Sequence, residues 1–187
     1  MQNPEAASVT LVLGGVRSGK SRYAQQLAER WERVAFIATA ERRNDPEMTA
    51  KIERHRADRP THWTTVEEPL RIGETIQQSA KDHEIIIVDC LTLFASNLLE
   101  SCGADRSKQE FQIDQLCATL RNTACSVVLV SNEVGSGVVP AYELGRQFRD
   151  LVGEINQRVA SVADTVLFMV AGLPLALKGS IPREAGA

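Results

Sequence analysis

Apolar residues along the chain fall into short β-branched runs separated by longer stretches of helical spacing. Val9–Leu13 (VTLVL), Val34–Thr39 (VAFIAT), Glu84–Cys90 (EIIIVDC), Ser126–Asn132 (SVVLVSN) and Thr165–Ala171 (TVLFMVA) read as strands, and Thr64–Glu67 as a short one. The unbroken apolar run Ile85–Val88 predicts burial on both faces, as in a parallel sheet. Between these runs, helices are expected over Ser21–Trp31, residues 46–58, Leu70–Ala80, Leu91–Leu99, Ser107–Thr123 and Tyr142–Ala163. Asp45-Pro46 reads as an N-cap followed by proline at the first helical position. In the last helix, Leu144, Phe148, Leu151, Val152, Ile155, Val159 and Val162 lie on one side. Strand and helix thus alternate, which predicts an α/β fold with a mostly parallel sheet flanked by helices. Right-handed crossovers then gather the functional loops at the carboxyl ends of the strands. The loops of interest are Gly14–Ser21, the segment after Thr39 and the turn after Asp89.

Composition narrows the class without fixing it. A chain of 187 residues suits a single domain over 1–187, with 1–7 and 179–187 expected to be loose termini. The net charge of −3 gives no global field for nucleic acid, so none is expected as a partner. Cys90, Cys102, Cys117 and Cys125 form no CxxC pair, and a chain this long needs no staples. They are expected as reduced thiols in a cytoplasmic protein. No apolar run reaches the length of a membrane span, and Met1–Ser8 lacks the pattern of a signal peptide.

The chemistry starts at Gly14-Gly15-Val16-Arg17-Ser18-Gly19-Lys20-Ser21. This fits G-x-x-x-x-G-K-[ST] at every fixed position, directly after an apolar strand and before a helix. Glycines let successive backbone N–H groups turn inward onto phosphate oxygens, and the helix adds its positive end. Lys20 would reach the β- and γ-phosphates, and the Ser21 hydroxyl would hold Mg²⁺. The competing interpretation is a chance glycine-rich turn. A carboxylate at the end of a neighbouring apolar strand usually serves such a metal, and Asp89 is the candidate. Asp89 could equally cap the helix beginning at Leu91, and the two roles are compatible. These features specify a P-loop (RecA-like) nucleotide-handling fold but leave the substrate open.

One further residue invites a chemical interpretation. Met48, Ile52 and His55 share a face of the helix expected over 46–58, with Lys51, Arg54, Arg56 and Arg59 around it. His55 is either a packed structural histidine or a nucleophile whose neutral imidazole attacks phosphorus. Nearby cations would keep that ring neutral and steady phosphate charge. Periodicity does not choose between the two.

Five stretches decide the matter: GGVRSGKS, IATAERRNDPEM, HRADRPTHWTTVEEP, IIIVDCLTLFASNLL and VSNEVGSGVVPAYELGRQFRDLVGEINQRVA, in that order across almost the whole chain. The sequence resembles the bifunctional adenosylcobinamide kinase / adenosylcobinamide-phosphate guanylyltransferase family of cobalamin biosynthesis. HRxxRPxxW and SNEVGxGxVP make the match far more restrictive than the phosphate loop alone. The resemblance implies phosphorylation of adenosylcobinamide by ATP or GTP, and then transfer of GMP from GTP through a guanylyl-histidine. It assigns His55 as that histidine, Gly14–Ser21 to the nucleotide phosphates and Asp89 to the metal. It also suggests Glu67 at the guanosine and Arg59, with Arg56, at phosphate; Ala40, Glu41 and Arg42 would line the same pocket. Asn132, Glu133 and Gly135 would shape a corrinoid cleft or a subunit interface. The family further implies a homo-oligomer, possibly a trimer. Attack at the α-phosphorus from a loop that presents the γ-phosphate predicts a mobile His55 helix, hinged at Glu41–Asn44.

Two other interpretations remain open at this point. A P-loop small-molecule kinase without guanylyl transfer would keep Lys20, Ser21 and Asp89 but not need His55. A RecA-type ATPase acting on nucleic acid predicts a basic track or a stacking surface. Two Trp, two Tyr and five Phe in an acidic chain argue against that. Trp63 is expected to pack, and Gly153, inside a helix, suggests close approach of a neighbouring helix.

Overall fold

The computed structural model describes residues 7–40, 59–103 and 105–182. Seven strands form one sheet: β1 (Val9–Gly14), β2 (Val34–Ala38), β3 (Thr64–Glu67), β4 (Ile85–Asp89), β5 (Ser126–Val130), β6 (Thr165–Val170) and β7 (Leu173–Lys178). Their order is β3-β2-β4-β5-β1-β6-β7. Every neighbouring pair is parallel except β6 and β7. Among the described residues there are five helices: α1 (Lys20–Ala28), α2 (Ile72–Ser79), α3 (Leu91–Cys102), α4 (Arg106–Arg121) and α5 (Glu143–Val162). The helix expected over 46–58 lies outside the described residues.

Successive strand residues point to opposite faces, so each strand feeds two cores. Leu11, Ile37, Ile86, Val88 and Leu129 pack against Ile76 of α2, Phe94 of α3, Leu116 of α4 and Ile155 of α5. Val12, Phe36, Ile87 and Val128 pack against Tyr23, Ala24 and Leu27 of α1, and Trp63 joins this second core as expected. Burial on both faces explains why β1, β2, β4 and β5 read as apolar runs rather than alternating patterns.

The structure departs from expectation at a few places. Strand β7 was not foreseen, because LPLALK is half exposed and contains Pro174. An edge strand tolerates proline, which has no N–H to give to a ladder. It is reached through a two-residue turn in which Ala171 (φ 52°) and Gly172 (φ 83°) are both left-handed, as tight hairpins require. Asp89 does not cap α3: the preceding residue is Cys90, and no side chain makes a cap bond. Helix α2 starts at Ile72, after Glu68 has accepted the N–H groups of Leu70 and Arg71. Gly153 meets no close neighbour among the described residues, since a Cβ there would have nothing within 4 Å. The close helix approach is at Gly73 instead, where a Cβ would sit 3.1 Å from the backbone of Gln115 on α4.

Parallel register lines up the carboxyl ends of the strands. Glu67, Ala38, Asp89, Val130, Val12 and Leu167 form one row across the sheet. Ala38, Val130, Val12 and Leu167 belong to the core on the α1 side, so the row projects toward α1.

Candidate active site

The loop between β1 and α1 has the backbone that its glycines allow. Gly14 (φ 153°) and Gly19 (φ 97°) occupy conformations that side chains rarely adopt, and Arg17 is left-handed at φ 57°. A Cβ at Gly14 would lie 2.6 Å from the Met169 carbonyl oxygen. The loop closes on itself where the Ser18 N–H donates to the Gly15 carbonyl at 3.3 Å. The hairpin tip between β6 and β7 braces it from outside: the Gly172 N–H donates to the Ser18 carbonyl at 3.0 Å. That contact is tight enough that a Cβ on Gly19 would approach the Gly172 Cα to 3.2 Å.

Lys20 opens α1 and is buried. Its Nζ donates to the Gly15 carbonyl at 2.5 Å and reaches the Ser18 Oγ at 3.5 Å, so it lies folded across the loop. Burial pulls its pKa below the ordinary 10.5, an effect that neighbouring Cys90 and Asp89 partly offset. No acidic residue stands in the first turn of α1 to compete for an anion at its positive end. Gly15, Val16 and Arg17 are exposed, and Ser18, Gly19 and Ser21 are half-buried. A loop turned by positive-φ glycines, a folded-in ammonium and a helix N-terminus thus converge on one spot.

The carboxylate side of the site is built differently from the sequence expectation. Strand β4, which carries Asp89, does not neighbour β1, because β5 stands between them. Strands are spaced by about 4.8 Å, so Asp89 lies roughly 10 Å along the sheet from the phosphate-loop strand. It nevertheless acts on Lys20 electrostatically. Asp89 and Ser21 are oxygen donors of the kind Mg²⁺ takes. Among the described residues no group of three or more His, Cys, Asp or Glu is placed to hold a metal. Magnesium needs no such cage, since one or two protein oxygens with phosphates and water suffice.

Two residues that sequence reasoning missed fasten this edge. Thr39 is fully buried. Its hydroxyl donates to the Cys90 carbonyl and accepts from the Cys90 N–H, each at 2.7 Å, and its own N–H donates to the Asp89 carbonyl at 3.1 Å. Asn97 of α3 donates to the Thr39 carbonyl at 2.8 Å and to the Pro69 carbonyl at 3.1 Å. The exits of β2, β3 and β4 are therefore held by two side chains. A polar residue inside an apolar helix stripe was the available signal at Asn97. The Cys90 thiol between them is pushed up to about 11, chiefly by burial and then by the charge of Asp89.

Other candidates have defined places. Glu67 ends β3, exposed, in the row shared with Asp89. Arg59 stacks over the Phe36 ring of β2 at 3.5 Å, on the α1 side of the sheet. Ala40 follows Thr39, half-buried. Glu133 leaves β5 next to the phosphate loop, its N–H donating to the Gly14 carbonyl at 3.1 Å. Asn132 is tied to Thr92 and Asn156 through its backbone. Glu41, Arg42, His55 and Arg56, with the hinge expected at Glu41–Asn44, lie outside the described residues.

Comparison with known proteins adds the chemistry. The chain matches the sequence model of the family described as cobinamide kinase / cobinamide phosphate guanyltransferase over residues 10–177. It is 45% identical over 170 residues to the bifunctional adenosylcobalamin biosynthesis protein CobP of Pseudomonas aeruginosa, covering 90% of this chain and 96% of that one. It is 39% identical over 179 residues to the protein CobU of Escherichia coli, likewise described as bifunctional, covering 90% and 98% of the two chains. Among solved structures, the P4 protein from bacteriophage phi6 in complex with ADP aligns at 15% identity and a TM-score of 0.45. That alignment covers 90% of this chain and 52% of the phage protein, which is too distant a likeness to add to the sheet order given above.

Proposed function

On the ground that this chain belongs to the cobinamide kinase / cobinamide phosphate guanyltransferase family, we propose that it phosphorylates adenosylcobinamide and then converts the product to adenosylcobinamide-GDP. In the first reaction the acceptor hydroxyl oxygen attacks the γ-phosphorus of ATP or GTP. The bond to the β-phosphate oxygen breaks, and the hydroxyl proton passes to solvent. In the second, an imidazole nitrogen of His55 attacks the α-phosphorus of GTP and pyrophosphate leaves. A phosphate oxygen of adenosylcobinamide phosphate then attacks the same phosphorus, the P–N bond breaks and His55 is regenerated.

The observation that carries this reading is the folded phosphate loop. The Lys20 ammonium folded across the glycine loop and the N-terminus of α1 suit a triphosphate in either reaction, because both develop negative charge on a departing phosphate. Ser21 and Asp89 would hold Mg²⁺, which supplies further charge neutralisation when bound. Glu67 would contact the guanosine and Arg59 a phosphate, both from the α1 side of the same edge, and Ala40, at the exit of β2, would line the same pocket. The roles of Glu41, Arg42, His55 and Arg56 rest on their positions in the family pattern. A single domain would serve both reactions, since the described strands make one sheet. Assembly as a homo-oligomer, possibly a trimer, and a cytoplasmic location are part of the same reading. No described helix is long and apolar enough to cross a membrane.

Incubation with α-labelled GTP tests the proposal. Acid-labile, alkali-stable label on the protein is expected, absent in His55→Ala and discharged by adenosylcobinamide phosphate. An unlabelled protein that still phosphorylates adenosylcobinamide would instead be a kinase without guanylyl transfer.

A further inference from the structure

Beside the phosphate loop, on the opposite face of the sheet from α1, a cleft of about 320 Å³ opens between the segment after β5 and helix α5. We propose that this cleft holds the carboxamide-bearing edge of the acceptor substrate; the proposal rests on the reading above and assigns a site to its second substrate.

One wall of the cleft is tied to the phosphate loop by a backbone bond, from the Glu133 N–H to the Gly14 carbonyl. Arg149, Gly153 and Asn156 line it from α5. Their spacing of i, i+4, i+7 places them on one helix face. Asn156 is 6% exposed. Its amide nitrogen donates to the Asn132 carbonyl at 3.0 Å, but its Oδ1 is buried with no partner among the described residues. The Nη1 of Arg149 is likewise buried without one. The site thus holds an unmet acceptor and an unmet donor, and unpaired buried polar atoms are costly enough to need a reason.

Gly153 stands between those two residues. Glycine inside a helix costs about 1 kcal/mol relative to alanine. No contact among the described residues requires it, because a Cβ there would meet none of them within 4 Å. The space it leaves belongs to the cleft.

The unmet groups select the ligand chemistry. Primary carboxamides offer carbonyls to Arg149 and N–H groups to Asn156, so an edge that carries several of them can satisfy both residues, which stand two turns apart on α5. A phosphate would satisfy only Arg149, and it would face the carboxylates of Glu133, Asp150 and Glu154, which also line the cleft. The segment that forms the other wall runs on through Val138, 95% exposed, to Tyr142, 69% exposed. Apolar side chains beside amide-pairing groups fit a broad apolar ring fringed with carboxamides, which is the chemistry of a cobinamide.

Gly153→Leu fills the cleft while improving helix propensity. Titration with adenosylcobinamide, followed by corrin absorbance, is expected to show affinity weakened at least tenfold. Labelling by α-labelled GTP, which needs no acceptor, should stay at the wild-type level. Arg149→Ala should weaken the same titration about tenfold without blocking the space. Wild-type corrinoid affinity in both variants overturns the proposal. So does a smaller species on gel filtration accompanying the lost affinity, which would make the cleft a contact between copies of the chain. A wild-type protein that does not turn over adenosylcobinamide at all sinks the functional reading itself, a different result from either.

Discussion

The two faces of the sheet's carboxyl edge are built on opposite terms. On the α1 side, Lys20 is bonded to Gly15, Ser18 closes onto Gly15, and the Gly172 hairpin tip braces the loop. On the α5 side, Arg149 and Asn156 leave buried polar atoms unmet, and Val138 stands in solvent. A triphosphate presents the same oxygens wherever it binds, so its cradle can be local, contiguous and finished in advance. An acceptor of individual shape needs groups brought together from β5, its following segment and α5, and those groups await their partner.

The largest expected effect separates the two sides. Lys20→Ala should lower both phosphorylation and guanylyl labelling by about 10²–10³-fold, as removal of one preorganised donor does. Corrinoid binding measured without nucleotide should be unchanged. The same residue sets a pH dependence. Burial lowers the Lys20 pKa, so the ammonium loses its proton below the ordinary lysine value of 10.5 as pH rises. GTP affinity, titrated from neutral pH upward, should therefore begin to fall before the range in which an exposed lysine titrates.

Asn97→Leu comes next. It strips the buried carbonyls of Thr39 and Pro69 of their shared donor, at about 2–3 kcal/mol. Thermal unfolding should shift down by roughly 5–10 °C. The loss of guanylyl labelling should exceed the loss of GTP affinity, because the loosened exit of β2 leads along the chain into the segment that carries His55, the proposed nucleophile. Gly19→Ala should cost about 1–2 kcal/mol, from its left-handed backbone and its approach to Gly172. Both chemical denaturation and GTP titration would register it. Gly153→Ala is the smallest change and has the opposite sign. It should raise stability by about 1 kcal/mol in denaturant titrations, since the added methyl meets nothing among the described residues. A destabilised Gly153→Ala would show that the α5 face is already filled.

The sequence was informative where structure is local. Buried parallel strands announced themselves as apolar runs. Gly14–Ser21 was readable because each position answers a local backbone demand. Strand β7 escaped because Pro174 interrupts the alternating Leu173, Leu175 and Leu177 and argues against a strand, yet its turn supplies the brace on Ser18. The insertion of β5 between β1 and β4 escaped because strand order is set by long-range packing, not by any one segment. Thr39 and Asn97 were missed for the same reason: their partners, Cys90 for Thr39 and both Thr39 and Pro69 for Asn97, are far away in the chain. Gly153 was misread as a helix contact because a glycine in sequence marks missing volume without saying what needs it.

The account stands on a triphosphate lying in the Gly14–Ser21 loop. A crystal structure with a non-hydrolysable GTP analogue tests this most directly. The β- and γ-phosphate oxygens should lie within hydrogen-bond reach of the loop amides from Gly15 to Lys20, with Lys20 Nζ swung from the Gly15 carbonyl onto phosphate. An analogue bound elsewhere, with Lys20 still on Gly15, would contradict it.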